Sequence, residues 1–363
     1  MRAKESKPLK RGWLKAPVIV VFGTLLTLHA VFTEDLYCQA PFYQGKTVTV
    51  IRGGPAGDTG DLRVRPVLAY LRKYIPGNPT IITEYMPGAG GRKAANHLYR
   101  AARPDGLTIA NVGGGFLSSA ILSEPGVQYD VDKFIYLGSP NSATHYVFVT
   151  RKEAHLSTVE KLRGASGIRI GAQAVGHAVY NAGRIFAWLL GLRDPKFVTG
   201  YAGQEIDLAL VKGEVDARAN IADTIVQRMP EWLDKGLVDL HSIIEIPKGD
   251  KHPRFAHLPE LDAFTRSDIE RNLLALFRAF RLAGSPYLLP PGTPADRVQI
   301  LQYAMRNTFR DPDFHKEFKK LTGDDPTPLL PEAQERSIRE LPRDPTVIEL
   351  FKKLTGTGPL PVR

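Results

Sequence analysis

The stretch YIPGNPTIITEYMPGAGGRKAANHLYRAARPDGLTIA, residues 74–110, decides the fold class. PTIITEYM (79–86) predicts a strand, GRKAANHLYRAAR (91–103) a helix, and LTIANVG (107–113) a second strand. The turn sequences IPGNP and RPDG separate these elements. Because a strand, a helix and a strand at this spacing form a βαβ unit, the stretch predicts a parallel sheet covered by helices.

The same alternation extends in both directions from this stretch. TVTVIRG (47–53) predicts a preceding strand and DLRVRPVLAYLRKY (61–74) a helix, with Asp61 as its N-cap. A second series of strands and helices runs from IRIGAQ (168–173) to VDLHSIIEI (238–246), and the last third of the chain predicts helices. Two such series predict an α/β protein with two lobes.

The composition of the 363-residue chain is that of a globular protein, with 43% hydrophobic and 24% charged residues. Its net charge is +10, but the basic residues are scattered among acids, so nucleic-acid binding is not predicted. Cys38 is the only cysteine, and metal and dinucleotide motifs are absent, so neither a metal nor a cofactor is predicted. We interpret His252 and His257 as solvated surface residues.

The N-terminus has the pattern of a secretory signal peptide. Residues 1–15 carry six basic residues against one acid, and an apolar run follows from Ala16 to Phe32. We therefore assign residues 1–40 as the signal and expect the mature protein in the periplasm. An uncleaved anchor helix is the alternative, although the apolar run is short for a membrane span.

Four glycine-rich loops each follow a predicted strand and precede a predicted helix. They are GGPAGDTG (53–60), PGAGG (87–91), GGG (113–115) and GAQAVG (171–176). Such loops expose backbone N–H groups, and helix N-termini add partial positive charge. In an open α/β sheet they lie beyond the carboxyl ends of the strands, where ligands bind. We expect them to hold an anion; alternatively, the glycines serve only tight turns and close packing.

Several segments resemble the periplasmic substrate-binding receptors of tripartite tricarboxylate transporters, the Bug-type receptors. The similarity begins at FYQGKTVTVIRGG (42–54) and is strongest through residues 74–110. LVKGEVDA (210–217) and LLPPGTPADRVQILQYAMRNTFRDPDF (288–314) are also similar to family segments. The resemblance covers nearly the whole mature chain, with a looser middle.

This resemblance implies a type II periplasmic binding-protein fold, in which two α/β lobes are joined by crossing strands around a ligand cleft. We assign residues 41–141 plus 284–363 to lobe 1 and residues 142–283 to lobe 2. The implied function is that of an extracytoplasmic receptor. It captures a di- or tricarboxylate, or a related carboxylate, by hinge closure and delivers it to a membrane permease. We expect a monomer without enzymatic activity.

The resemblance also implies a ligand site formed by the first two glycine-rich loops and by the loop that precedes the second-lobe helix. The third loop of the first lobe completes the set. The predicted ligand-binding residues are Gly57, Asp58, Thr59, Gly60, Asp61, Pro87, Gly88, Ala89, Gly90, Gly91, Gly113, Gly114, Ala174, Gly176 and His177.

Two positions depart from the family pattern. Asp58 stands where a glycine is usual and repels an anion unless Arg92 or Lys93 pairs with it. Asp58 could instead accept a hydrogen bond from the ligand, or only shape the turn. The family favours Gly-Ser before the histidine at the second-lobe helix, whereas this chain has Val175-Gly176, so His177 is either a ligand contact or a helix-start packing residue.

Two other functions remain open from the sequence. An exported enzyme acting on a carboxylate substrate would use Asp58, Asp61 or His177, although no nucleophile–base pair is visible. A ligand-sensing module that docks onto a membrane sensor kinase would have the same binding site as the receptor.

Overall fold

The computed structural model describes residues 40–363 apart from positions 58, 114 and 202. The predicted signal peptide therefore lies outside the described residues, except for its last position. Within the described part of the chain, no helix is both long enough and apolar enough to cross a bilayer.

The described residues form ten strands in two five-stranded sheets. In chain order the strands are β1 (Thr47–Arg52), β2 (Thr80–Tyr85), β3 (Thr108–Asn111), β4 (Ile135–Gly138), β5 (Tyr146–Arg151), β6 (Arg169–Gly171), β7 (Lys196–Val198), β8 (Ala217–Ile221), β9 (Val238–Ile244) and β10 (Tyr287–Leu289). The first sheet has the order β2-β1-β3-β10-β4, and the second has the order β7-β6-β8-β5-β9. The chain therefore leaves the first sheet after β4 and returns to it at β10.

The described helices are distributed between two halves of the fold, the first half being built around the first sheet and the second half around the second sheet. They are α1 (Thr59–Tyr74), α2 (Arg92–Arg100), α3 (Gly115–Ile121), α4 (Val159–Gly164), α5 (Ala178–Leu190), α6 (Gly203–Val211), α7 (Ala222–Arg228), α8 (Pro230–Asp234), α9 (Asp268–Leu282), α10 (Ala295–Arg310), α11 (Pro312–Thr322), α12 (Pro331–Arg339) and α13 (Pro345–Thr355). Short 3₁₀ turns lie at Ala89–Gly91, Lys152–Ala154 and Leu261–Phe264.

The α/β class and the two series of elements predicted from the sequence are confirmed, but three expectations are corrected. Each sheet is mixed rather than wholly parallel, because β10 runs antiparallel to β3 and β4, and β5 runs antiparallel to β8 and β9. Asp61 is not an N-cap, since α1 already begins at Thr59. The sequence analysis missed α9, whose apolar positions include Leu273, Leu276 and Phe280.

Apolar side chains on one face of the first sheet form the core beneath α1, α10 and α11. Val48 and Val50 alternate along β1 and pack with Val67, Leu71 and other buried residues of these helices. A second cluster covers one face of the second sheet, and a larger cluster includes residues of both halves. The inner strand β1 is therefore buried as expected for an α/β fold, whereas the edge strand β2 remains largely exposed.

The last helix packs on the second half of the molecule, although the helix before it packs on the first. α12 contacts β4, whereas α13 contacts α5 and α9. The buried Arg184 of α5 donates hydrogen bonds to the carbonyls of Leu354 and Gly358, and these hold the C-terminal segment in place. The chain therefore passes between the halves a third time, near residues 340–344. The lobe boundaries at 141 and 284 remain a prediction. That prediction assigns α13 to lobe 1, although α13 packs on helices of the second half.

Asp311 links α1 to the junction of α10 and α11. Its carboxylate caps α11 by accepting the backbone N–H of Asp313 at 2.9 Å. The same group accepts hydrogen bonds from Lys73 and Tyr74, each at 2.8 Å. The bond from Lys73 is the largest of the effects that lower the pKa of Asp311 to about 2.

We predict that Asp311→Ala lowers the free energy of unfolding by about 1–2 kcal/mol, since it removes a helix cap together with the contacts to α1. The folded-state pKa is depressed, so the stabilisation is complete above the ordinary carboxyl pKa and is lost as the pH falls towards 2. Urea denaturation at pH 7 and pH 3 measures both effects. Asp313→Ala removes only an exposed ion pair with Lys316 and serves as the control; equal losses in the two variants would contradict the assignment.

Candidate functional site

Three of the glycine-rich loops meet at one edge of the first sheet, beyond the ends of β1, β2 and β3. A Cβ atom built on Gly53 would lie 3.1 Å from the Cα of Gly91, and one built on Gly91 would lie 3.3 Å from the backbone nitrogen of Gly113. Gly91 also has a φ of +96°, which side chains rarely adopt. Glycine is thus required here because the loops approach one another closely.

Several of the backbone amides that the sequence analysis expected to hold a ligand are used within the protein. The N–H of Gly57 donates to Asp61 at 3.0 Å, and that of Gly91 donates to the carbonyl of Gly88 at 3.1 Å. The N–H of His177 likewise donates to the carbonyl of Ala174 at 3.0 Å. These three amides therefore stabilise the loops and are not free to bind an anion in this conformation.

Asp61 is a buried carboxylate that stabilises the first loop. Besides Gly57, it accepts hydrogen bonds from Tyr85 at 2.8 Å and from Arg65 at 2.8 Å. Burial acts to raise the pKa of Asp61, but these hydrogen bonds outweigh it and lower the pKa below its usual value. The arrangement fixes the loop against β2 and the start of α1.

The remaining predicted residues divide by position. Asp58 and Gly114 lie outside the described residues, and Thr59 and Ala89 are described only by their backbone. Five of the described residues belong to the first-half loops, namely Gly60, Pro87, Gly88, Gly90 and Gly113. Ala174 and Gly176 are exposed in the loop before α5. Arg92, one proposed partner of Asp58, forms a salt bridge with Glu124 at 3.0 Å.

A cavity of about 460 Å³ lies between the two halves. The second half contributes the loop after β6, the starts of α5 and α6, the end of β8 and helix α7. The first half contributes Arg63 of α1, Phe318 of α11 and the segment 324–327, and the connections near Tyr146 and Ser285 complete the wall. Of the described residues predicted to bind ligand, His177 alone lines this cavity.

Arg218 provides a buried cation in the wall of the cavity. Its side chain extends from β8, and the residue is only 2% exposed. Nε donates to the carbonyl of Ala219 at 3.2 Å, while Nη1 donates to the carbonyl of Gly203 at 3.4 Å and to the carboxylate of Asp207. Nη2 makes no hydrogen bond with any described residue, so it is the part of this guanidinium that can bind a solute.

Asp207 of α6 pairs with Arg218 and also lines the cavity. Burial raises the pKa of Asp207, and the nearby Arg218 and Arg228 only partly oppose this rise. The carboxyl group of Asp207 therefore binds a proton more readily than an ordinary aspartate does.

His177 caps the N-terminus of α5 and faces the same cavity. Its Nδ1 accepts the backbone N–H of Val179 at 3.3 Å, so the proton of a neutral ring is on Nε2. Partial desolvation by the surrounding protein lowers the pKa of His177, and the positive charges of Arg281 and Arg218 lower it further. The residue still has solvent-exposed surface. The imidazole is therefore neutral at pH 7 and can donate a hydrogen bond from Nε2.

The acidic residues of the cavity wall have basic side-chain partners within the protein. Besides Asp207, Asp324 binds Arg63 at 3.2 Å, Asp325 binds Lys319 at 2.8 Å, and Asp223 contacts His252 at 3.1 Å.

Two basic side chains of the cavity are not paired in this way. Arg228 and Arg281 form no salt bridge with any described residue. Together with Nη2 of Arg218, they leave the cavity with cationic groups available to a bound solute, which suits an anion.

His252 corrects one interpretation made from the sequence. It is 6% exposed, stacks on Phe255 with a ring-centroid distance of 4.9 Å, and bonds to Asp223. The interpretation as a solvated residue was wrong because the composition of this loop does not reveal that it folds back against α7. His257 is exposed, as predicted. Among the described residues, no cluster of His, Cys, Asp and Glu could hold a metal ion.

The sequence analysis missed the arginines of the cavity. DARANI (216–221) lies within the second predicted series and forms β8, but its Arg218 and Asn220 were not selected as site residues. Their spacing of two places both side chains on one face of a buried strand. An arginine in such a strand needs a partner or a function, which is the signal that could have identified it.

Comparison with known proteins supports the fold. No family model and no curated protein matches the chain. A TctC solute-binding protein from Polaromonas matches with a TM-score of 0.62 and 18% identity, covering 86% of this chain and 98% of that one. The periplasmic binding protein BugD matches with a TM-score of 0.57 and 21% identity, covering 86% of this chain and 98% of that one. MatC from Rhodopseudomonas palustris, solved with bound malate, matches with a TM-score of 0.55 and 22% identity, covering 86% of this chain and 99% of that one.

These similarities confirm, at the level of the fold, the resemblance inferred from the sequence. The chain has the two-lobed α/β fold of the type II periplasmic binding proteins.

We predict that Arg218→Gln lowers the free energy of unfolding by about 3 kcal/mol, because it leaves the carboxylate of Asp207 buried without its cation. The double variant Arg218→Gln/Asp207→Asn should be more stable than Arg218→Gln alone, since no charge remains to be paired. Chemical denaturation of the wild type, both single variants and the double variant measures this coupling. Strictly additive losses would contradict a direct interaction between the two side chains.

Proposed function

We propose that this protein is an extracytoplasmic solute-binding receptor that captures a small organic acid between its two lobes. The observation that supports this most directly is the distribution of charge in the cavity. Its acidic side chains are paired within the protein, whereas Arg228, Arg281 and one terminal nitrogen of Arg218 remain available. A solute carboxylate would supply the missing negative charge.

The fold supports the same proposal and suggests the chemical class of the solute. MatC, which shares the fold, binds malate, a four-carbon dicarboxylate. We therefore propose di- and tricarboxylates and related acids as ligands of this chain. A cavity of about 460 Å³ is of the size typical for small-molecule sites.

We propose that capture involves closure of the lobes about the connecting strands. Arg63 lines the cavity from the first half and faces residues of the second half, so a solute between them can contact both. A solute favours the closed state only to the extent that it binds that state more tightly. Direct contacts with both lobes would supply this difference.

The assignment to a transport role completes the proposal. The N-terminal signal pattern suggests export to the periplasm, and the receptor would then deliver its solute, as a monomer, to the membrane permease of a tripartite transporter. The receptor interpretation is favoured over an enzyme because the carboxylate of Asp61, one candidate catalytic group, is bonded to Gly57, Tyr85 and Arg65. His177 has no described carboxylate partner that would orient it as a base.

We predict that millimolar L-malate, succinate or citrate raises the melting temperature of the protein, because a ligand that binds only the folded state stabilises it. Arg281→Gln should weaken binding of the responding acid about tenfold or more, the effect of losing one hydrogen bond to a charged group. Differential scanning fluorimetry and calorimetric titration measure the two effects.

Arg100→Gln is the matched control for this experiment, because Arg100 is exposed on α2 and does not line the cavity. It should bind the acid as the wild type does. If no acid shifts the melting temperature, or if Arg100→Gln and Arg281→Gln weaken binding equally, the proposed site is wrong.

A further inference from the structure

The carboxylate of Asp207 occupies the same guanidinium that a solute carboxylate would bind. We propose that Asp207 is an internal competitor for the solute, and that it takes up a proton when an anionic solute binds Arg218. This inference rests on the proposed function, because it requires an anion in the cavity. It makes Asp207 a residue that tunes affinity and specificity without serving as a primary ligand contact.

The geometry of Arg218 limits where a solute carboxylate can bind to it. The residue is 2% exposed, and its Nε and Nη1 are bonded to Ala219, Gly203 and Asp207. A solute carboxylate can therefore reach this cation only through Nη2. It would then lie on the same planar guanidinium as the carboxylate of Asp207, whose side chain is only 18% exposed. Two carboxylates this close cannot both stay ionised without a large repulsion.

The charges near Asp207 determine where the proton is taken up. Arg218 approaches from β8 and Arg228 from α7, while Asn220 donates a long, neutral hydrogen bond at 3.5 Å. His177, the N-cap of α5, and Arg281 of α9 line the same cavity. Even with both arginines nearby, the pKa of Asp207 is above its usual range because of burial. An added negative charge at Arg218 raises it further, so the proton goes to Asp207.

The direction of the pH dependence follows from these pKa shifts. Between the pKa of Asp207 in the empty receptor and its higher value in the complex, binding takes up a proton. Affinity for an anion therefore increases as the pH falls through this interval. A protonated Asp207 can still bond to the solute, since the acid form is a hydrogen-bond donor.

The other acidic residues of the cavity do not share this arrangement. Asp223 is the most useful comparison, because it lines the same cavity but pairs with His252 and is 45% exposed, against 18% for Asp207. The hydrogen bond from His252 lowers the pKa of Asp223. Asp223 should therefore remain ionised when the solute binds.

Calorimetric titration of the full protein with L-malate, succinate, citrate and L-aspartate tests the proposal. Each titration is run at several pH values from weakly acidic to neutral, each in two buffers of different ionisation enthalpy, which gives the number of protons taken up. We expect the wild type to take up a substantial fraction of one proton per bound acid within part of this pH range. Asp207→Asn should abolish this uptake and bind the acid about tenfold more tightly, since the competing charge is gone. Asp223→Asn should retain the uptake of the wild type.

The outcomes separate this inference from the proposed function. If the wild type binds none of the acids, both are wrong. If it binds but Asp207→Asn has unchanged affinity and proton uptake, only the inference is wrong. If Asp207→Asn weakens binding of L-aspartate and leaves the other acids unaffected, Asp207 is a contact for an ammonium group, and the competitor role is likewise rejected.

Discussion

The buried ion pair of Arg218 and Asp207 is the constraint on which the cavity depends. A guanidinium that is almost fully desolvated needs a negative partner, and in the described structure a carboxylate from α6 provides it. This pairing joins β8 to α6 and sets the position of the two groups in the cavity wall. If a solute acid binds there as we propose, it must change how this charge is neutralised. The proposal therefore couples stability and binding at one pair of side chains.

The glycine-rich loops of the first half have a different physical role in this conformation. They approach one another so closely that side chains would not fit, and Gly57 and Gly91 use their amides inside the loops. Asp61 stabilises the first of these loops by accepting the hydrogen bond from Gly57. The described residues of these loops shape the edge of the first sheet and do not line the cavity. The first-half wall of the cavity is formed instead by side chains such as Arg63, Phe318 and Asp324.

The sequence predicted most of the fold, because it rests on local patterns. Strands such as β1 and β6 are β-branched runs bounded by glycine, and α10 to α13 have clear apolar periodicity, so each could be located from its own residues. The antiparallel pairing of β10 with β3 and β4 could not be predicted, since a strand of three residues does not identify its neighbours in the sheet. The site was harder for the same reason. Arg218, Arg281 and Arg63 are distant in sequence, and only the folded chain brings them to one cavity, whereas His177 was found because it starts a helix after a glycine-rich loop.

The passage of the chain from α12 to α13 has a mechanical consequence for the molecule. The two halves are connected covalently at three separate places, after β4, before β10 and near residues 340–344. Two bodies joined by a single flexible segment can rotate in any direction, but each further connection removes some of that freedom. Two of these connections lie side by side, since the backbone N–H of Ser285 donates to Oγ of Ser139 at 3.0 Å. The closure proposed above would then be a restricted bend that returns the opposing surfaces to the same register each time, so contacts between them can be selective without being strong.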